Sequence, residues 1–215
     1  MKSSGLVFEE RPYNGEVTPT TYEDMSRYGN DGAITGATPV RLPNGLWVWS
    51  FNGVNNTINL GDPEQLNLSV DFTILIWLSA NDLLDRAIIT ARGANQNYHW
   101  AQEFAGGGVS WFGGWVGGFL AIGGRSLTVL TSAPQLMGVS YTAAGGNFTR
   151  NGVPDGAFLY GGNIDTGAVD THIGSWNGVA QFWNGYIGQV RIYNYALAAE
   201  EIGAIWQEER HLFGV

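Results

Sequence analysis

The stretch Asp71-Phe-Thr-Ile-Leu-Ile-Trp-Leu-Ser79 constrains the fold more than any other part of the chain. Phe72, Ile74, Ile76 and Leu78 alternate with Thr73, Leu75, Trp77 and Ser79, so a strand built here is largely apolar on both faces. Such a strand must be covered on both sides, which places it centrally in a two-layer β-sandwich. None of its residues offers chemistry.

The rest of the chain agrees with that placement. At 215 residues it is long enough for one core, and a domain of this size buries roughly 70% of its unfolded surface. The 32 Gly and seven Pro separate short apolar runs with little helical periodicity, which points to an all-β sandwich or barrel. Nine Trp, nine Tyr and ten Phe are expected to pack mostly between sheets. A net charge of −9 with no basic stripe argues against nucleic acid as a partner. A single Lys leaves no polybasic route to anionic lipid, and no run of about 18 apolar residues is present to span a bilayer. After Met1 the first ten residues carry only three apolar side chains before Glu9-Glu10, too few for a signal-peptide core, so synthesis in a cytoplasm is expected. The absence of Cys removes disulfides and thiolate metal sites.

In chain order, residues 1–22 read as an N-terminal strand, Leu6 to Glu10, followed by an irregular arm, and residues 23–215 as one domain. Asp24-Met-Ser-Arg-Tyr-Gly-Asn-Asp-Gly-Ala33 is expected to be a tight polar loop. Trp47–Phe51 and Thr57–Leu60 read as strands joined by an Asn52-Gly53 hairpin turn. Further strands are expected at 86–92, 127–130, 136–141 and 147–150, with a turn at Asn151-Gly152. In the last strand, alternation puts Tyr186, Gly188, Val190 and Ile192 inward and Ile187, Gln189, Arg191 and Tyr193 on the opposite face. Ala198 to Glu209 is the one helix, and it should cap a sheet edge or an opening.

Three segments together resemble the concanavalin A-like lectin/glucanase superfamily, in its laminin G-like jelly-roll branch. They are the Asp24-to-Gly32 loop, Phe51-Asn-Gly-Val-x-x-x-Ile-x-Leu60 with Phe72-Thr-Ile-x-x-Trp77, and Gly185-Tyr-Ile-Gly-Gln-Val-Arg-Ile-Tyr-Asn-Tyr-Ala-Leu197 with Glu201-Ile202. The resemblance runs from about residue 5 to 208 and implies an all-β jelly roll, two antiparallel sheets face to face with one short C-terminal helix. For function it implies a choice among sugar-binding modules, calcium-dependent lectins, glycoside hydrolases and structural domains. Where laminin G-like relatives have an acidic pair in the final strand, this chain has Gly188-Gln189.

Glycoside hydrolysis needs two carboxylates ~5–5.5 Å or ~6.5–9.5 Å apart. No strand carries them at alternate positions, since Glu9-Glu10 and Glu200-Glu201 are adjacent and Asp165 and Asp170 flank a turn. The expectation is a non-enzyme. Calcium takes oxygen ligands, and Asp24, Asn30 and Asp31 form the candidate cluster, supplemented by Asp62 or Asp165. The favoured account is that Asp24 and Asn30 hold the loop by bonding to backbone, with no cofactor. His99, His172 and His211 have no ligand spacing. Between Asn95 and Gly124, Tyr98, Trp100, Phe104, Trp111 and Trp115 sit among nine glycines. Tyr98, Trp100, Trp111 and Trp115 are the ligand or interface candidates. The favoured account is that most are core, then that they form a protein interface, then that they are a platform for sugar.

A Cys-free jelly roll with no signal peptide and a proline-containing arm suits a virus or phage particle. The expected role is a structural and adhesion module of a virion, a capsid decoration or tail-associated protein docking on neighbouring protein subunits or on its own copies. The alternatives are a carbohydrate-binding, lectin-like module meeting cell-surface glycan, soluble or secreted without a cleavable signal, and more remotely a glycoside hydrolase.

Overall fold

A computed structural model describes residues 5–10, 15, 19–94, 96–103, 105–159 and 162–215, and the side chains of all of these except residues 121 and 122. Parts of the expected arm (1–4, 11–14 and 16–18) and Phe104 lie outside the described residues. Two eight-stranded antiparallel sheets stack face to face. The first runs β14 (Val153–Phe158), β13 (Gly145–Arg150), β12 (Gln135–Thr142), β7 (Phe72–Ala80), β16 (Asn184–Tyr193), β5 (Trp47–Asn52) and β4 (Thr38–Arg41), with β1 (Leu6–Glu9) on β16. The second runs β11 (Phe119–Val129), β10 (Val109–Val116), β9 (Asn97–Glu103), β8 (Arg86–Arg92), β15 (His172–Ile173), β6 (Thr57–Asn59), β3 (Gly32–Thr35) and β2 (Thr21–Tyr22).

The two-faced strand is β7, flanked by β12 and β16 and buried at every position. Phe72, Ile74, Ile76 and Leu78 enter the core between the sheets, where Tyr98, Trp100 and Phe112 meet them from the second sheet. Leu75 and Trp77 point the other way, into a smaller cluster with Ile202, Ile205 and Phe213. Trp77 stacks on Phe213 with ring centroids 4.0 Å apart. The helix α1 (Ala199–Glu209) therefore lies across the outer face of the first sheet rather than capping an edge. β7 needs that cover, because its second apolar face would otherwise meet water. Under the helix Arg191 is buried and held by Glu9 at 2.8 Å and Glu209 at 2.5 Å, and Trp77 Nε1 donates to Glu209 at 2.8 Å.

Two sequence readings are corrected. Asn52-Gly53 is no hairpin turn, because β5 and β6 belong to different sheets. The loop carries the chain from one layer to the other and is held by asparagine side chains. Asn52 Oδ1 accepts from the amides of Val54 and Asn55, and Asn56 Oδ1 accepts from the amide of Asn52. The last strand does not alternate strictly, since its register against β7 shifts between Ile187 and Val190. The bulge puts Ile187 inward together with Val190 and Ile192. Gly188 consequently faces outward, beneath Phe213. Asn151-Gly152 does form the tight turn between β13 and β14, with φ of 51° and 75°.

Candidate ligand-binding face

The outer faces of the two sheets differ. On the first sheet, Phe213 borders an apolar hollow of about 370 Å³ beside Pro43, Trp77 and Tyr186, with no charged side chain lining it. Among the described residues no helix covers the second sheet, whose outer face is built by alternation along β8, β9 and β10 and is partly overlaid by the loop after β15. Tyr98 and Trp100 belong to the inter-sheet core, so on β9 it is His99 that faces out, and on β10 Trp111 and Gly113 lie opposite the inward Phe112. A register shift between Gly114 and Trp115 in the β10–β11 pairing accompanies the placement of Trp115 beside Arg92.

The glycines of this segment have a steric role. A side chain on Gly113 would collide with the Trp111 indole, which also runs close over Gly123. Trp111 therefore lies flat along bare backbone and stays half-buried. His99 packs 5.7 Å from Trp111 and edge-on to Trp176 at 6.1 Å. Trp176 stands on the loop between β15 and β16, which turns at Asn177 and Gly178 (φ 48° and 70°). That loop is tied down: Asn177 Nδ2 donates to the Arg92 carbonyl at 2.6 Å, Thr90 Oγ1 to the Ser175 carbonyl at 3.0 Å, and Gly178 N to Ser175 Oγ at 3.0 Å.

At the centre of these rings the Arg92 guanidinium lies 4.2 Å from the Trp176 ring centre and 4.8 Å from that of Trp115, within cation–π range. Its enclosure holds the guanidinium below the usual arginine value. His99 is pushed down to about 3, first by burial and then by the Arg92 charge, so its ring is neutral at ordinary pH, and its Nδ1 has no hydrogen-bond partner among the described residues. The face thus presents half-exposed aromatic surface around one positive charge.

The four aromatic candidates are not one platform. Tyr98 and Trp100 fill the core with no exposed surface, while Trp111 and Trp115 share the outer face, Trp115 almost wholly covered. Arg92 and Trp176 are residues that sequence reasoning missed. The available signal was Trp176-Asn-Gly178, an indole placed directly before a turn dipeptide.

In the calcium candidate, Asp24 Oδ1 accepts from the amides of Glu9 and Ser26 at 2.9 and 2.8 Å, and Oδ2 from Ser26 Oγ and the Asn30 amide at 2.8 Å. Asp31 Oδ1 accepts from the Asp24 amide, and Asn30 Nδ2 donates to the Val7 carbonyl. Both carboxylate oxygens of Asp24 are thus engaged in shaping the loop and pinning it to β1. Asp165 is elsewhere, beside Trp115, with Oδ2 on the Gly118 amide, and Asp62 accepts from Asn67. Among the described residues no group of three or more His, Asp or Glu side chains is arranged to hold a metal.

Two antiparallel sheets stacked in this strand order define a jelly-roll sandwich. Residues 52–203 match the family model of the concanavalin A-like lectin/glucanases superfamily in its laminin G-like form, and the chain belongs to that superfamily. No curated protein matches it in sequence. Among solved structures it is similar to the binding domain of Paraclostridial Mosquitocidal Protein 1 (16% identity, TM-score 0.73, 96% of this chain and 52% of that one). It is also similar to domain 4 of AbnA, an extracellular arabinanase from Geobacillus stearothermophilus, solved with arabinotriose (17%, TM-score 0.70, 94% and 98%). A third is the Trypanosoma rangeli sialidase in complex with 2,3-difluorosialic acid (17%, TM-score 0.69, 99% and 34%). The chain spans about half the length of the toxin binding domain, a third of the sialidase and nearly all of the arabinanase domain. At these identities the likeness is one of fold.

Proposed function

We propose that the chain is a non-catalytic carbohydrate-binding module whose saccharide lies across the outer face of the second sheet. The observation that carries this reading is the cluster of Trp111, Trp176 and Arg92 on a sheet face that no helix among the described residues covers. Half-exposed indoles offer flat apolar area to the C–H face of a sugar ring, with neighbouring polar groups to orient it. The arabinanase domain, matched over nearly its full length, supports the reading by fold. A non-catalytic role fits the carboxylates nearby, since Asp165 is engaged with the Gly118 amide and Glu103 is paired with Arg125. A glycan array followed by calorimetric titration tests it. Binding should occur and should be lost in Trp111→Ala and Trp176→Ala variants whose melting is unchanged. No binding at millimolar saccharide refutes it.

A second reading, a structural subunit of a larger particle such as a virion, rests on exposed apolar side chains on β11 and just after β14. Phe119, Leu127 and Leu159 are 77%, 80% and 92% exposed, apolar area that a neighbouring subunit would cover. In that reading the protein sediments with megadalton particles in lysate of its native source. Sedimentation as a 23.2 kDa species refutes it.

A further inference from the structure

We infer that the saccharide taken by the outer face of the second sheet carries a carboxylate, which Arg92 binds through the edge of its guanidinium. This rests on the carbohydrate-binding reading and specifies the class of sugar.

The first ground is how the chain treats its other arginines. Arg86, Arg125 and Arg191 each meet a carboxylate. Arg41 and Arg150 reach backbone carbonyls, and Arg27 reaches the Tyr28 hydroxyl. Arg210 lies over the Trp206 ring but is exposed, so water meets its donors. Arg92, half-buried between strands and loop, meets neither a carboxylate nor any other hydrogen-bond acceptor among the described residues. Its contacts are two indoles. Indole contact stabilises the cation but satisfies none of its N–H donors, which lie in the guanidinium plane. A planar carboxylate is the group those in-plane donors match, through two parallel bonds.

The second ground is position. Trp176, one of the two indoles against Arg92, also packs edge-on to His99, and His99 packs against Trp111. A ring lying on Trp111 or Trp176 has its substituents beside Arg92. The Asn177 turn that carries Trp176 is anchored to the Arg92 carbonyl itself, so ring platform and cation are held in one geometry. The third ground is charge. With His99 neutral, the face offers one positive charge in a chain of net −9. That suits a saccharide with one carboxylate at the site, and it disfavours densely sulfated polyanions, which draw on several cations at once.

The test is an array and titration series on the full chain, with oligosaccharides of galacturonate, glucuronate and sialate, each also presented as its methyl ester, and with heparin as the sulfated control. Methyl esterification keeps the ring and removes the charge. The expected result is binding of at least one acidic oligosaccharide at least tenfold tighter than its ester, an advantage that shrinks with added salt and disappears in Arg92→Gln. Because acid and ester are compared on the unaltered chain, the result does not depend on how the variant folds. Equal affinity for acid and ester, binding of neutral sugars alone, or preference for heparin overturns the inference while leaving a carbohydrate module intact. Absence of binding to every saccharide overturns the carbohydrate reading and this inference together.

Discussion

Glu10 is the acid with the largest consequence for stability. It is 5% exposed in the interior beside β1, where its Oε1 accepts the Trp49 indole N–H at 2.6 Å. Burial pushes its carboxyl from 4.5 up to about 8, against the opposing pull of hydrogen bonds from Trp49 and Tyr22, the Val190 backbone and the Arg191 charge. Between those two values the unfolded chain ionises Glu10 while the folded chain keeps it protonated, so the unfolded state binds fewer protons. Stability from this residue is complete below pH 4.5 and is lost as pH rises through about 8. A shift of that size corresponds to on the order of 5 kcal/mol as an upper bound. Glu10→Gln places a neutral near-isostere at the site and removes the titration. Urea unfolding at intervals from pH 4 to pH 9 should therefore show the unaltered chain losing at least about 2 kcal/mol more than the variant across the range. The variant should be the more stable of the two at pH 9. Parallel stability curves for the two proteins would refute the assignment of a neutral buried Glu10.

Arg191→Met should destabilise the fold by about 3–5 kcal/mol, read as a fall in the urea midpoint, because it strands Glu209 beneath the helix without its cation. Asp24→Ala removes an acceptor of four hydrogen bonds and should cost about 2–4 kcal/mol; the loss should be the same in calcium and in EDTA, and a calcium-dependent difference in melting would revive a metal role for this loop. Gly113→Val should evict Trp111 from its seat on β10, seen as a red shift in tryptophan emission together with weakened saccharide binding. Ile76→Ala, in the centre of the inter-sheet core, should cost about 2–5 kcal/mol by thermal melting, without changing relative affinities among sugars.

The legible parts of the fold were those set by local chemistry. Phe72 to Ser79 announced a strand buried on both faces because each of its two alternating sets is apolar, and Asn151-Gly152 announced its turn because both positions accept positive φ. What escaped were features decided by tertiary pairing. Asn52-Gly53 has hairpin composition, yet β5 finds β16 and β4 while β6 finds β15 and β3, and no local signal distinguishes a turn within a sheet from a passage between sheets. The bulge at Gly188-Gln189 is equally silent in a pattern read with a strict period of two. At the candidate site, the run from Tyr98 to Trp115 looked like one group because the rings are close in sequence. Strand parity divided it, sending Tyr98 and Trp100 inward and Trp111 outward. Arg92 and Trp176 are 84 positions apart, and their contact arises only through the pairing of β15 with β8 and the loop beyond it.

The cover that α1 and Phe213 give to the first sheet makes the domain one-sided. Its interior, its helix and its buried ion cluster are committed on one flank, whereas the opposite flank exposes side chains that few interior contacts depend on. Positions 111, 176 and 179, the last of them 76% exposed at the loop tip, can be rewritten with little effect on how the sandwich assembles. A scaffold of this kind lends itself to divergence: substitution on a single skin can change what the face recognises, and an engineer can randomise that skin while screening for folding and for recognition as separate traits.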